Sequence, residues 1–408
     1  MGVENNIPEG WMETTLGDLV ERITKGTTPK IFSSEKNDVN YIKSDALNYS
    51  GFLDNGRFVK ISNETNNKLK RSQLKVDDIL LSMAGEKLGK TGIIKEQHLP
   101  ANTNQAVAII TVNKKRVGYK FIWYKLRNKN TVKYFKTIPS QSAQPNINFQ
   151  EIRSLPINLP TLPEQKAIAK VLTAFDDKIE LLQAQNKTLE TILKVKHEDL
   201  FTVCSSVDCP KVKVGDYVKT NSISINKNYN HNSILYMDTG SLTNGVTESL
   251  QEIKLSEAPS RAKRLVKHND ILISTVRPNQ KHFGIIKYPI NNLVVSTGFC
   301  VISCEKIDPH FLYYVLTSND MTDYLHSIAE GSTSTYPSIK PIDLESVEFV
   351  LPPNDRIEKF SKTASIFWDK IHLNQIQAKS LTKTRDTLLP KLMSGQVRVK
   401  NIKHTADA

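Results

Sequence analysis

No apolar run in this 408-residue chain is long enough to cross a bilayer, and its opening residues, Met1 to Trp11, are polar and acidic. The basic and apolar regions of a secretory leader are therefore missing, and the sequence predicts a soluble, cytoplasmic protein. Cysteine is scarce: Cys204, Cys209, Cys300 and Cys304 form two loose pairs. A zinc site commonly has tighter ligand spacing, so these read as small buried hydrophobes with inert thiols and no metal is expected. Catalytic signatures are missing as well. The stretch Ala84-Gly85-Glu86-Lys87-Leu88-Gly89-Lys90-Thr91 has alanine where a phosphate-binding loop needs its first glycine. No Gly-x-Gly follows a strand, no Asn/Asp-Pro-Pro-aromatic motif is present to hold a flipped base, and no acidic cluster stands beside a lysine. The histidines are scattered, and His197 is expected to face solvent on a long helix. No catalytic apparatus is expected in the chain itself.

Acidic residues are absent from one long window, between Gln97 and Gln150. The same window holds Lys114, Lys115, Arg116, Lys120, Lys125, Arg127, Lys129, Lys133 and Lys136, interleaved with Tyr119, Phe121, Trp123, Tyr124, Tyr134 and Phe135. The helical spacing of Phe121, Ile122 and Leu126 assigns the aromatics to a core. The charges point outward, because an unbalanced positive face repels itself unless phosphates neutralise it. From Pro259 to Cys304 a second basic stretch carries Arg261, Lys263, Arg264, Lys267, Arg277, Lys281 and Lys287 against Asp270 alone. Over the whole chain Lys+Arg is 55 against Asp+Glu 42, a net of +13 that favours a polyanionic partner.

The chain is written twice. Asp78-Ile79-Leu80-Leu81-Ser82 followed by Gly92-Ile93-Ile94 recurs as Asp270-Ile271-Leu272-Ile273-Ser274 followed by Gly284-Ile285-Ile286, a shift of 192 positions (Ile79 to Ile271). The same shift carries Pro145-Asn146-Ile147 onto Pro337-Ser338-Ile339 and Asp177-Lys178-Ile179 onto Asp369-Lys370-Ile371. This is far longer than a solenoid period of roughly 20–50 residues, so a whole domain is duplicated. Short strands at 79–83, 107–112, 271–276 and 294–302, separated by polar loops, make each copy mixed α/β.

Each copy ends in a long helical pattern. The first opens with a capping-box spacing at Thr161-Leu162-Pro163-Glu164. Its seam then reads Ile168, Leu172, Phe175, Ile179, Leu182, Asn186, Leu189, Leu193, Lys196 and Leu200. The second follows Asn354 as Phe360, Ala364, Phe367, Ile371, Asn374, Ala378, Leu381, Arg385, Leu388 and Leu392, and stops at Gly395. A helix running from 164 to 202 would be on the order of 60 Å long. An antiparallel pair of such helices would be a pseudo-twofold spacer between two heads, against the alternative of two helices each packed on its own head. The expected division is 1–160 and 204–352 for the heads, 161–203 and 353–395 for the helices, and 396–408 for a tail.

These residues carry a resemblance. The phrases Trp11-x-x-x-x-Leu16-Gly17-Asp18 and Val212-x-Val214-Gly215-Asp216, Gly26-Thr27-Thr28-Pro29, the Asp-Ile-Leu-Leu-Ser and Asp-Ile-Leu-Ile-Ser strands and Gln141-Ser142-Ala143-Gln144-Pro145-Asn146 resemble target recognition domains of type I restriction–modification specificity subunits. Leu159-Pro160-x-Leu162-Pro163-Glu164-Gln165-x-x-Ile168 and Leu389-Pro390-Lys391-Leu392-Met393-Ser394-Gly395 resemble the family's helical regions, and Leu351-Pro352-Pro353-Asn354-Asp355-Arg356 departs from them. The likeness runs from about Trp11 to Val399. It implies a non-catalytic, sequence-specific reader of double-stranded DNA whose heads each recognise half of a bipartite site, directing adenine methylation and restriction. It implies two methylation subunits and restriction subunits as partners, with S-adenosylmethionine, ATP and magnesium bound by those partners.

The candidate DNA-contacting residues are Thr27, Thr28, Lys43, Lys87, Lys90, Gln105, Gln141, Ser142 and Gln144 in the first copy. In the second they are Arg277, Asn279, Lys281, Thr297, Ser334 and Tyr336. Arg277 and Gln144 can make paired hydrogen bonds to guanine and adenine edges; Thr27, Thr28 and Ser142 are base readers or turn formers. Two rival readings are a solitary methyltransferase or nuclease with duplicated lobes, and a coiled-coil adaptor for an acidic protein. The first lacks its motifs, and the second leaves the loop-rich heads without a use.

Overall fold

The computed structural model describes residues 7–138, 145–205, 207–248, 250–331 and 337–399. The chain forms two compact units, Met1–Ile179 with Ser380–Ala408, and Glu180–Lys379. Two long helices, α1 (Leu162–Asp199) and α2 (Asn354–Met393), each contribute to both units. Among the described residues no helix is long and apolar enough to cross a membrane.

In unit 1 the strand Met12–Thr15 pairs antiparallel with Pro156–Leu159 and closes the head where the chain enters α1. An antiparallel sheet runs in the order Val20–Lys25, Val107–Val112, Ile79–Ser82, Thr91–Ile93. A second sheet orders Val59–Ile61, Val39–Ile42, Ala101–Thr103, with its last pair parallel. The central strands are buried on both faces. Ile79, Leu81, Ala108 and Ile110 pack against the helix Tyr119–Arg127, whereas Leu80, Val107 and Ile109 face a separate cluster with Ile42 and Leu47. That split is the two-residue period of a strand, and each buried Ile or Leu contributes about 1.5–3 kcal/mol.

Unit 2 repeats this plan. Lys211–Lys213 pairs with Glu348–Val350, and a sheet orders Val218–Thr220, Phe299–Cys304, Ile271–Ser274, Phe283–Ile285. Its second sheet has four strands: Gln251–Lys254, Ser233–Met237, Leu293–Ser296 and Ala262–Leu265. The 192-residue shift holds at the level of single bonds. Buried Asp78 accepts from Lys75 N (2.9 Å) and Thr111 Oγ1 (2.5 Å); buried Asp270 accepts from Lys267 N (2.7 Å) and Ser303 Oγ (2.7 Å). Asp78 also pairs with Arg22 at 3.0 Å. At Asp270 burial pushes the carboxyl up.

Within unit 1, α1 and α2 run antiparallel. Asp176 meets Arg385 at 2.6 Å, and Glu164, one turn into α1, meets Arg398 just beyond α2 at 2.8 Å. Unit 2 has the same sense: Asn374 bonds Asn186 at 2.8 Å, and Phe360 lies 5.7 Å from His197, ring to ring. The helices also pack on their own heads, Ile168 and Leu172 in the first core and Ile357, Phe360 and Ala364 in the second. Both packings proposed from the sequence therefore occur together.

This double burial shifts the seam. Ile168, Leu172, Ile179, Leu182, Leu193 and Leu200 are buried, but Phe175 is half-buried and Asp176 buried, Lys196 exposed and His197 buried. In α2, Phe367, Leu381 and Leu388 are half-buried, while Trp368, Ile371, Arg385 and Leu389 are buried. At 176 and 368 the seam residue also touches its head, Tyr124 in one unit and Tyr313 in the other. A strict heptad serves one partner; here a second one pulls the buried stripe forward by one residue.

Four further expectations are corrected. His197 is not on a solvent face: it lies among Phe201, Phe311, Tyr314 and Phe360, with centroids 5.2–5.7 Å away, and burial holds it down to about 4. Cys204 and Cys209 are half-buried and joined as a disulfide, while Cys300 is a buried thiol pushed up to about 12. The stretch 294–302 is two strands, because the chain leaves one sheet for the other at Thr297-Gly298. The Glu164 carboxylate ties Trp11 Nε1 (3.0 Å) and Arg398 to α1 instead of closing a capping box.

Candidate nucleic-acid interface

In unit 1 the loop after Val20–Lys25 is pressed on Thr103: a side chain at Gly26 would come within 1.7 Å of its carbonyl oxygen. That approach turns Thr27 and Thr28 to the exposed surface. Thr28 donates to the Gln105 side chain, Tyr41 OH to the Thr27 carbonyl (2.9 Å), and Arg71 Nη2 reaches Thr27 Oγ1 at 3.5 Å. Lys43 stands 5.9 Å over the ring of Phe32, which packs edge-on to Tyr41 at 5.6 Å. The structure thus brings Thr27, Thr28, Gln105 and Lys43 into one cluster and adds Arg71, Phe32 and Tyr41. Phe32, at 45% exposed, is the kind of aromatic the basic-window reading would not find, because it lies outside that window.

A second cluster forms around Tyr49. Its hydroxyl donates to the carbonyls of Glu86 (3.1 Å) and Leu88 (3.2 Å), and Lys90 and Lys136 stand 5.4 and 5.5 Å over its ring. Lys87 is half-buried in the tight turn Gly85–Lys87, which the Gly85 N–H bonds to the Pro145 carbonyl at 2.9 Å. Gln141, Ser142 and Gln144 lie outside the described residues.

In unit 2 the same framework carries different chemistry. Arg277 N donates to the Pro337 carbonyl (2.9 Å), and Val276 bridges Ser338, as Ala84 bridges Asn146 in unit 1. Arg277 (φ 49) and Lys281 (φ 56) both adopt left-handed backbone, where unit 1 has Gly85 (φ 63) and Gly89 (φ 84). A left-handed conformation costs about 1–2 kcal/mol for a residue with a side chain. Cationic residues at both ends of the turn Pro278–Gln280 are thus held at positions that suit glycine. Asn279 is exposed between them, and Lys281 Nζ donates to Asn319 Oδ1 at 2.8 Å. Thr297 answers to Gln105 in the repeat; it is half-buried, and its N–H bonds the Arg261 carbonyl at 2.8 Å. Ser334 and Tyr336 lie outside the described residues.

One cation from each of the two basic stretches, Arg127 and Lys287, serves the interior. Arg127 is buried and pairs with Asp176 at 2.6 Å, while stacking 4.4 Å from Trp123. Lys287, also buried, pairs with Asp369 at 2.9 Å. Arg127 and Lys287 depart from the expectation that the charges of both stretches face outward, whereas Lys114 pairs with Asp77 at 2.6 Å and stays exposed. The aromatics Phe121, Trp123, Tyr124 and Phe135 are buried.

A duplicated α/β head on paired helices, with polar loops that diverge on a matched frame, is the geometry against which relatives can be compared. The model of the type I restriction modification DNA specificity domain matches the chain twice, over residues 8–191 and 207–383. The chain belongs to that family. It is 26% identical to the MjaIX specificity subunit of Methanocaldococcus jannaschii over 431 residues, covering 97% of this chain and 95% of the relative. It is 29% identical to the HindI specificity subunit of Haemophilus influenzae over 158 residues, covering 38% of this chain and 34% of that one. The S subunit of a type I system from M. genitalium shares the fold, with a TM-score of 0.59, 16% identity, and 96% and 98% of the two chains covered. The specificity domain duplication coincides with the internal repeat, and the chain is a DNA sequence-specificity subunit of a type I restriction–modification system.

Proposed function

We propose that each unit reads one half of a bipartite double-stranded DNA site and that the paired helices set the unspecified spacer between the halves. The single observation behind this reading is conserved framework bonding under divergent loops. Met83 N–Ala106 O (2.9 Å) answers to Thr275 N–Gly298 O (2.8 Å), yet Gly85, Gly89 and Gln105 are replaced by Arg277, Lys281 and Thr297. Equal frames hold two loops at equal positions; unequal side chains offer the bases different donors and acceptors. Lys87, Lys90 and Lys136 suit phosphates, which position the frame without reading sequence.

On this reading the chain does no chemistry. Two methylation subunits carry S-adenosylmethionine and methylate adenine at the site, and restriction subunits consume ATP with magnesium, all in the cytoplasm. Exposed apolar residues on the long helices, Leu181 and Val195 on α1 and Ile366, Leu373 and Ile376 on α2, offer such partners helical docking faces. The test exchanges residues 11–159 with those of a relative and sequences the methylated sites made by the reconstituted complex. One half-site should change and the other persist; joint change of both halves refutes independent reading.

A further inference from the structure

We propose that the α1–α2 interface is a heterotypic lock, built so that each helix accepts the other and rejects its equivalent in a second copy of the chain. Two buried polar layers make it. In unit 1 the Asp176 carboxylate, 3% exposed, accepts from Arg385 Nη1 (2.6 Å), Arg127 Nη1 (2.6 Å) and Tyr124 OH (2.7 Å). In unit 2 the Asn374 amide, 1% exposed, donates to Asn186 Oδ1 at 2.8 Å, and the Asn186 amide reaches the Ile371 carbonyl at 3.4 Å.

The internal repeat gives each polar side chain on the two helices an equivalent in the other helix, 192 positions away, and those equivalents are apolar. Asp176 answers to Trp368, Arg385 to Leu193, Asn374 to Leu182 and Asn186 to Ala378. The head residue Arg127 answers to Asn319. Four further layers are apolar in both copies: Ile168 and Phe360, Leu172 and Ala364, Ile179 and Ile371, Leu200 and Leu392 are all buried, while His197 answers to Leu389. Those four layers suit either pairing, so discrimination falls to the polar ones.

The consequence follows from register. If α1 paired with α1 of a second copy in the same antiparallel alignment, Asp176 would face Leu193 and Asn186 would face Leu182, twice over. If α2 paired with α2, Arg385 would face Trp368 and Asn374 would face Ala378. Each arrangement buries charges or amides opposite hydrocarbon, whereas the observed one satisfies both layers. In like pairs Asp176 would keep only Arg127 and Tyr124 of its own head, Arg385 would keep only Asp386, and Asn374 would lose Asn186; loss of partners at buried polar groups is how helical pairs acquire specificity.

The test starts from the full-length chain with a protease site replacing residues 207–208. It is cleaved after folding, under reducing conditions that open the Cys204–Cys209 bridge. Labelled and unlabelled samples are mixed until unlike pairs have scrambled their labels, and the species are counted by native mass spectrometry. Free reassortment would put about half of the pairs in like–like combinations; the lock predicts fewer than about one in twenty. The double variant Asn186→Ala/Asn374→Leu makes one layer equivalent in both helices, and Arg127→Asn/Asp176→Trp/Arg385→Leu does so for the other. Either should raise the like–like share several-fold, and both together should bring it near half. If the larger substitution does not fold, the milder double variant decides. A near-statistical mixture from the wild-type protein, or a double variant that keeps the wild-type exclusion, would overturn the proposal.

Discussion

Arg277 offers a test in which stability and recognition move in opposite directions. Its backbone is left-handed (φ 49, ψ 67), and its N–H is fixed to the Pro337 carbonyl at 2.9 Å. Unit 1 meets the same turn with Gly85 (φ 63). Comparing Arg277→Gly with Arg277→Ala removes the side chain in both and isolates the backbone. Glycine relieves about 1–2 kcal/mol of left-handed strain. Against this stands about 0.5–1 kcal/mol of extra unfolded-chain entropy relative to alanine. The glycine variant should therefore be the more stable of the two by about 0.5–1 kcal/mol, a melting shift of a few degrees at most for a unit of this size. Both variants should lose recognition equally, by about 1–3 kcal/mol if the guanidinium bonds a guanine edge, and only in the half-site read by unit 2. Chemical denaturation measures the first quantity, and methylation of half-site variants by the reconstituted complex measures the second. Equal stability of the two variants would refute the strain argument; loss spread over both half-sites would refute the assignment of Arg277 to one reader.

Asp176→Ala strands Arg127 in the interior and leaves Arg385 with Asp386 alone, and should cost unit 1 about 3–5 kcal/mol by denaturant titration; a loss under about 1 kcal/mol would sink this account of the cluster. Burial pushes the Asp176 carboxyl up, but the charges of Arg127 and Arg385 and the hydrogen bonds from Arg127 and Tyr124 together outweigh it and hold the carboxyl below the usual range. His197 is held near 4 against an ordinary 6.5, so the unfolded chain takes up a proton before the folded one does. Its stabilisation is present above about pH 6.5 and lost as pH falls toward 4, by about 3 kcal/mol relative to a His197→Leu variant; parallel pH–stability curves for the two proteins would contradict this. Removing 182–188 from α1 together with 372–378 from α2 takes out the Asn186–Asn374 pair and keeps heptad phase. The pair would shorten by about 10 Å, roughly three base pairs, so methylated sites should keep both half-sequences with a changed spacer. An unchanged site from a folded deletion protein would dismiss the helices as a ruler.

What the sequence determined by itself was the duplication and its register. Asp78 and Asp270, the strand phrases around them and the two long helices are local patterns, set by side-chain period and spacing; each is present in the fold, with the strands ending at Ser82 and Ser274 and the helical seams shifted. The matched left-handed sites at Gly85 and Arg277 were implicit in the same shift, but φ is not written in a residue name. Tertiary structure decided which charges face outward. Arg127 and Lys287 sat in basic stretches that looked continuous, and each meets its carboxylate, Asp176 or Asp369, more than forty residues away along the chain. It also moved the helical seam onto Asp176, His197, Trp368 and Leu389, because a helix covered by both a partner and a head buries a stripe that no heptad count supplies. The clustering of Thr27, Thr28 and Gln105 belongs to the same class. Local sequence fixes period, whereas pairings between distant residues depend on how the sheets and helices close around them.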